Sequence, residues 1–132
     1  MPVSTEDYVS ISDFIGRYCW LVDAGDEEGW AALWTEDGHF EGATLEPCIG
    51  REALKSVPRG VQQAEGRMRH MPGALHCDYA EGTRDTVIAR YYNLVTNWPG
   101  GGQFLCMAVC TATLQRHGDA WLLRRNMVLN LT

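Results

Sequence analysis

Apolar residues recur at Ile11, Phe14, Ile15, Tyr18, Leu21 and Val22, the three-and-four spacing that collects side chains on one face of a helix. Ser4 or Thr5, followed by Glu6 and Asp7, supplies a capping oxygen and first-turn carboxylates, so the helix is expected to start there. Gly25 closes it. Asp26 caps a second helix, expected from Glu27 to about Trp34, whose apolar face is Trp30, Leu33 and Trp34. So short a connection makes the two a helical hairpin.

Thr35-Glu36-Asp37-Gly38 reads as a turn and His39 to Gly42 as a short strand. Pro47 and Gly50 bracket a loop. A third helix is expected from Arg51 to about Val57, ended by Pro58 and Gly60, with a further helical turn around Val61 to Glu65. From His70 the texture changes to strands: about Gly73 to Tyr79, Thr86 to Asn97, Gln103 to Arg116 and Trp121 to Leu131, separated by Gly-rich or Asp-rich turns. On the third of these, Phe104, Cys106, Ala108, Cys110, Ala112 and Leu114 alternate onto one face, while Leu105, Met107 and Val109 begin the other. A strand apolar on both faces is covered on both sides. One face packs on the helices and lines a cavity; the other is expected to meet a second subunit, as a homodimer or homotrimer. Helices followed by an antiparallel meander make the class α+β, as one domain over residues 1–132.

The 132 residues, 45% hydrophobic and 21% charged, suffice for a core without disulfides or metals. A net charge of −6 argues against a nucleic-acid or anionic-membrane surface, and the eleven basic residues are scattered. The five cysteines form no C-x-x-C, and the reading is free thiols in a reducing compartment. With no basic start and apolar core for a signal peptide and no membrane-spanning stretch, the expected location is cytoplasmic.

Four histidines (His39, His70, His76 and His117) form no H-x-H or H-E-x-x-H pattern, so neither a metal nor a cofactor is expected. Asp23 sits near a helix C-terminus, where the dipole disfavours a carboxylate, and this hints at a purpose. Tyr18 by itself reads first as a core aromatic whose hydroxyl finds a partner. His70 and His76 have the same parity, so either is a candidate base on one strand face.

The wording Tyr18-x-x-x-x-Asp23, then Gly25-Asp26, Trp30-Ala31-Ala32-Leu33-Trp34-Thr35-Glu36-Asp37-Gly38-His39-Phe40-Glu41-Gly42, resembles the SnoaL-like branch of the nuclear transport factor 2-like superfamily. Gly50-Arg51-Glu52-Ala53-Leu54 and Gly118-Asp119-Ala120-Trp121 extend the likeness over the whole chain. The resemblance implies a cone: a curved antiparallel sheet wrapped around three N-terminal helices, with an apolar pocket at the wide end. It is most similar to the dehydratase and dehydrochlorinase members, among them scytalone dehydratase and bile acid 7α-dehydratase. That likeness implies Asp23 and His70 as a catalytic dyad, Tyr18 as an auxiliary acid, and His39, Tyr91, Cys110 and Asn126 as polar groups binding a small hydrophobic ring compound. The implied activity is a cofactor-independent lyase. The same fold also hosts isomerases and polyketide cyclases, and non-catalytic subunits such as those of aromatic-ring dioxygenases. Tyr18 and Asp23 lie about 140° apart around an ideal helix, so they approach any substrate from different sides.

Overall fold

The computed structural model describes residues 1–43, 46–64 and 67–132. Helix α1 (Thr5–Asp23) starts where the capping pattern places it, with the Ser4 side chain accepting from the Asp7 N–H. It ends at Gly25, whose φ of +69° is the left-handed turn glycine takes without strain. Its buried face (Ile11, Phe14, Ile15, Tyr18, Cys19, Val22) is the stripe read from the periodicity.

Helix α2 (Glu27–Ala31), capped by Asp26, is shorter than the apolar spacing suggests. Leu33 and Trp34 leave the helix because strand pairing claims them: the Leu123 N–H donates to the Leu33 carbonyl, and Trp34 opens β1 (Trp34–Glu41) opposite Leu123. The expected turn at Thr35 to Gly38 lies inside β1, as an interruption in its pairing with the last strand. After a two-residue strand β2 (Cys48–Ile49) come α3 (Arg51–Leu54) and α4 (Ser56–Gln63), separated only by Lys55. Pro58 does not end this third helical segment. It falls in the first turn of α4, where its missing N–H has no intrahelical partner to lose. Of the helical turn expected over Val61 to Glu65, the first three residues lie in α4, and Glu65 lies outside the described residues.

Strands β3 (Met68–Tyr79), β4 (Thr86–Asn97), β5 (Gln103–His117) and β6 (Ala120–Asn130) form the antiparallel meander. The six-stranded sheet has the order β2-β1-β6-β5-β4-β3, and β1 joins β6 in parallel, so the sheet is antiparallel apart from that one pair. Register shifts interrupt the ladders between Gly73 and His76, at Thr96, and between Thr113 and Leu114. Each such extra residue bends a strand and increases its twist, which is how the sheet curves around α1. The shift at Leu105 also breaks the alternation read for β5. Ala108, Cys110, Ala112 and Leu114 face the core as expected, whereas Phe104 is exposed.

The core fills the concave side. Tyr18, Trp30, Trp34 and Phe40 form an aromatic cluster with ring centroids 5.3–6.4 Å apart. No helix among the described residues is long and apolar enough to cross a membrane.

Candidate active site

Asp23 closes α1, and α1 packs against β3, the edge strand. His70 is the third residue of β3 and lies opposite Val95, a buried residue on the inner face of β4, so its side chain turns toward α1. The two meet. His70 Nδ1 lies 2.6 Å from Asp23 Oδ1, and the His70 backbone N–H donates to Asp23 Oδ2 at 3.1 Å. Both carboxylate oxygens are thus held by one residue, and Asp23 is only 8% exposed.

This arrangement resolves the unfavourable position of Asp23 at a helix C-terminus: two N–H donors from β3 supply the positive potential the helix end lacks. It also sets the tautomer. An ionised carboxylate only accepts, so Nδ1 carries the proton, and in the neutral ring Nε2 is then the nitrogen with the lone pair. Both residues line a cavity of about 410 Å³ walled by Cys19 and Trp20 of α1, by Met71 and Pro72 of β3, and by Trp98. Arg69 at its edge is the one cation among the lining residues. A broader groove of about 860 Å³ runs along the outer side of α1 from Tyr8 to Trp20, away from the dyad, and shares only Gly16 and Trp20 with this cavity.

A family model described as SnoaL-like domain matches residues 3–126, which hold this helix-plus-curved-sheet frame. The chain belongs to the SnoaL-like family. Among curated proteins none matches it. Solved structures do: an NTF2-like protein with a cystatin-like fold from Novosphingobium aromaticivorans is similar at 26% identity and TM-score 0.84, over 96% of this chain and 82% of that one. A Catenulispora acidiphila protein in complex with S-DNPA is similar at 25% identity and TM-score 0.79, covering 96% and 95%. A putative scytalone dehydratase from N. aromaticivorans shares the fold at 17% identity and TM-score 0.80, over 96% and 85%.

The other residues singled out in this SnoaL-like sequence land elsewhere. Tyr18 is buried, and its hydroxyl accepts from Asn126 Nδ2 at 3.1 Å; the same amide donates to the Tyr91 hydroxyl at 3.2 Å. These three and Cys110 form a polar knot within the core and are not among the residues lining the dyad's cavity. The 140° that separates Tyr18 from Asp23 around α1 is the reason: one faces the middle of the sheet, the other its edge. Burial pushes both tyrosines well above their ordinary range, and the Cys110 thiol to about 11, so all three stay protonated at neutral pH. Burial, with the Asp23 charge beside it, likewise raises Cys19 to about 12, which excludes a thiolate nucleophile at the cavity wall.

His39 alternates with buried Phe40 and therefore points to the outer face, where its Nε2 lies 3.3 Å from Glu41. It does not reach the concave side. His76 is also turned outward: two residues, Ala74 and Leu75, oppose Tyr91 alone, so the parity it shared with His70 is lost. It pairs with Asp78 at 3.0 Å in the open. Trp20 and Trp98 were not foreseen as cavity walls. The signal was present for Trp20, a large aromatic that falls off the apolar stripe of α1 and is 77% exposed. Among the described residues no group of three or more His, Cys, Asp or Glu side chains is placed to hold a metal ion.

Proposed function

We propose that this SnoaL-like protein is a cofactor-independent lyase that eliminates water, or a similar leaving group, from a small hydrophobic ring compound. The observation that carries this reading is the Asp23–His70 contact, with both carboxylate oxygens engaged, in the wall of a mostly apolar cavity. Neutral His70 takes a proton through Nε2 from a carbon next to an activating carbonyl. The C–H electron pair becomes the new C=C π bond as the C–O bond on the adjacent carbon breaks. The imidazolium then protonates the departing hydroxide, so water leaves and His70 returns to its neutral form. Asp23 fixes the tautomer throughout and stabilises the imidazolium by its charge. With Tyr18 buried and not among the residues lining the cavity, His70 serves as base and then as acid, and the step balances without oxidant or reductant.

The complex of the C. acidiphila protein with S-DNPA supports a small-molecule ligand for a chain of this fold at 25% identity. Screening β-hydroxy ketones on one- and two-ring frameworks, with product analysis by mass spectrometry, tests the reading. His70→Ala is expected to lower turnover by about 10²–10⁴ while its circular dichroism stays that of the wild type. Full activity in that variant removes the base from the scheme.

A further inference from the structure

Four residues of α1 line the dyad's cavity, Gly16, Cys19, Trp20 and Asp23, and their three-and-four spacing puts them on one side of the helix. Cys19 and Asp23 are buried, whereas Trp20 is 77% exposed. Two further large apolar side chains on the cavity wall are also exposed, Trp98 at 49% and Met71 at 42%. Single exposed apolar residues are ordinary on a protein surface. Three around one concavity, with a polar pair in its wall, mark a binding site. Gly16 adds an independent observation. A glycine inside a 19-residue helix weakens that helix relative to alanine. Neither its conformation nor its packing calls for glycine: the backbone there is helical, and a Cβ would meet no atom of the described residues within 4 Å. Side chains on a helix lean toward its N-terminus, so the Trp20 indole extends toward the turn that Gly16 leaves bare. An open slot lies beside the indole.

Trp98 comes from a different element, the turn between β4 and β5, and it is held in place. Its backbone N–H donates to the Arg67 carbonyl at 3.2 Å, and its indole lies against Gly102, where a Cβ would come 3.0 Å from Cε3 and 3.1 Å from Cζ3. A wall already in position costs a ligand little ordering. We propose that Trp20 and Trp98 are the specificity-determining walls of the dyad site, and that they select a planar aromatic ring, fused or joined to the ring that reacts and lying over Gly16. This rests on the dyad reading for the reaction, and it narrows the substrate class from hydrophobic rings in general to flat ones. An indole attracts another aromatic ring, offset-stacked or edge-to-face, beyond what burial of area supplies. A saturated ring of the same skeleton gains only the burial.

Equilibrium dialysis with 2-naphthol and with decahydro-2-naphthol, which share skeleton and hydroxyl, separates flatness from hydrophobicity. It is run on wild type, Trp20→Leu, Trp20→Phe, Trp98→Leu, Gly16→Leu and His70→Ala, alongside thermal denaturation and size-exclusion chromatography. Wild type and His70→Ala are expected to prefer the aromatic probe by about tenfold. Trp20→Leu and Trp98→Leu each lower that preference by about threefold, and Trp20→Phe keeps most of it. Gly16→Leu fills the slot and weakens both probes by about tenfold or more, while its melting temperature holds or rises because leucine is the better helix former. Equal affinities in wild type overturn the proposal. So does a preference undiminished in both leucine variants at the tryptophans, or wild-type binding in Gly16→Leu. A Trp20→Leu protein that binds both probes as wild type does but elutes at a different volume assigns Trp20 to an interface between copies, and also overturns it. The dyad chemistry fails separately: no turnover of any ketone, with the aromatic preference intact in wild type and His70→Ala, removes the elimination and leaves the walls standing.

Discussion

Two aspartates mark the ends of α1, and their surroundings set their roles. Asp7 sits in the first turn, where the helix dipole welcomes a carboxylate, and it receives the Arg116 guanidinium through both oxygens (2.9 and 3.2 Å) and the Tyr79 hydroxyl at 2.5 Å. The Arg116 hydrogen bond, against some desolvation and with help from Tyr79, holds its carboxyl below the usual range. A carboxyl depressed in the folded state contributes stability that is complete above the unfolded value, about 4, and is lost as the pH falls through the folded value. Asp7→Asn is therefore expected to lower unfolding free energy by about 2 kcal/mol at pH 7, with the difference shrinking toward pH 3. Urea titrations of both proteins at the two pH values check this; a gap that persists undiminished at pH 3 refutes it. Asp23, at the disfavoured end, is bonded by a potential base beside a cavity. That difference was legible from the sequence, since a carboxylate at a helix C-terminus has to find a partner. Strand parity alone did not say which histidine supplied it; the family resemblance pointed to His70.

At the level of elements, the choice between histidines turned on one residue that strand periodicity does not reveal. His70 and His76 share a parity on paper, but Ala74 adopts a φ of +55°, and with Leu75 it forms a bulge that sends His76 outward. Alanine carries no mark of such a conformation, unlike glycine or asparagine, so the inversion is invisible in the text. The left-handed conformation costs an L-residue on the order of 1 kcal/mol. Ala74→Gly relieves it, against a comparable loss of unfolded-chain restriction, so stability is expected to change by less than about 1 kcal/mol with the bulge and the activity kept. Ala74→Val, with a β-branched side chain, is expected to destabilise by about 1–3 kcal/mol. Chemical denaturation of the two variants decides it: if valine is tolerated as well as glycine, the bulge is not held by that conformation. The same limit explains Phe104 and Trp34. Amphipathic spacing identified their elements, and pairing with strands far along the chain set where each element began or changed face.

For the whole molecule, the concave face of the sheet is occupied by α1 and the aromatic cluster, while none of the described residues covers the patch at the middle of the convex face. Tyr92, Val109 and Leu129 stand directly opposite one another across β4, β5 and β6, and Thr111 with Met127 forms the next row. Tyr92, Met127 and Leu129 are 52%, 43% and 63% exposed, and a shallow groove of about 670 Å³ beside them is lined by Val109, Thr111, Pro47 and Val128. The apolar character of both faces of β5 led to the expectation of a second subunit on the face that does not meet the core. We propose that the partner is a second copy of the chain. This largely apolar patch, bordered by Arg90 opposite Thr111 and by Glu41 opposite Met127, can meet itself across a two-fold axis, with each row packing on its symmetry mate. The wild type is then a dimer by size-exclusion chromatography with light scattering, and Met127→Glu with Leu129→Glu converts it to a monomer by placing like charges across the axis. Because these side chains lie on the opposite side of the sheet from His70, the isolated monomer is expected to keep the Asp23–His70 contact, read as an unchanged His70 ring signal in NMR spectra. A wild type that elutes as a monomer at micromolar concentration rejects the self-association, and a doubly substituted protein that stays dimeric moves the interface to another face.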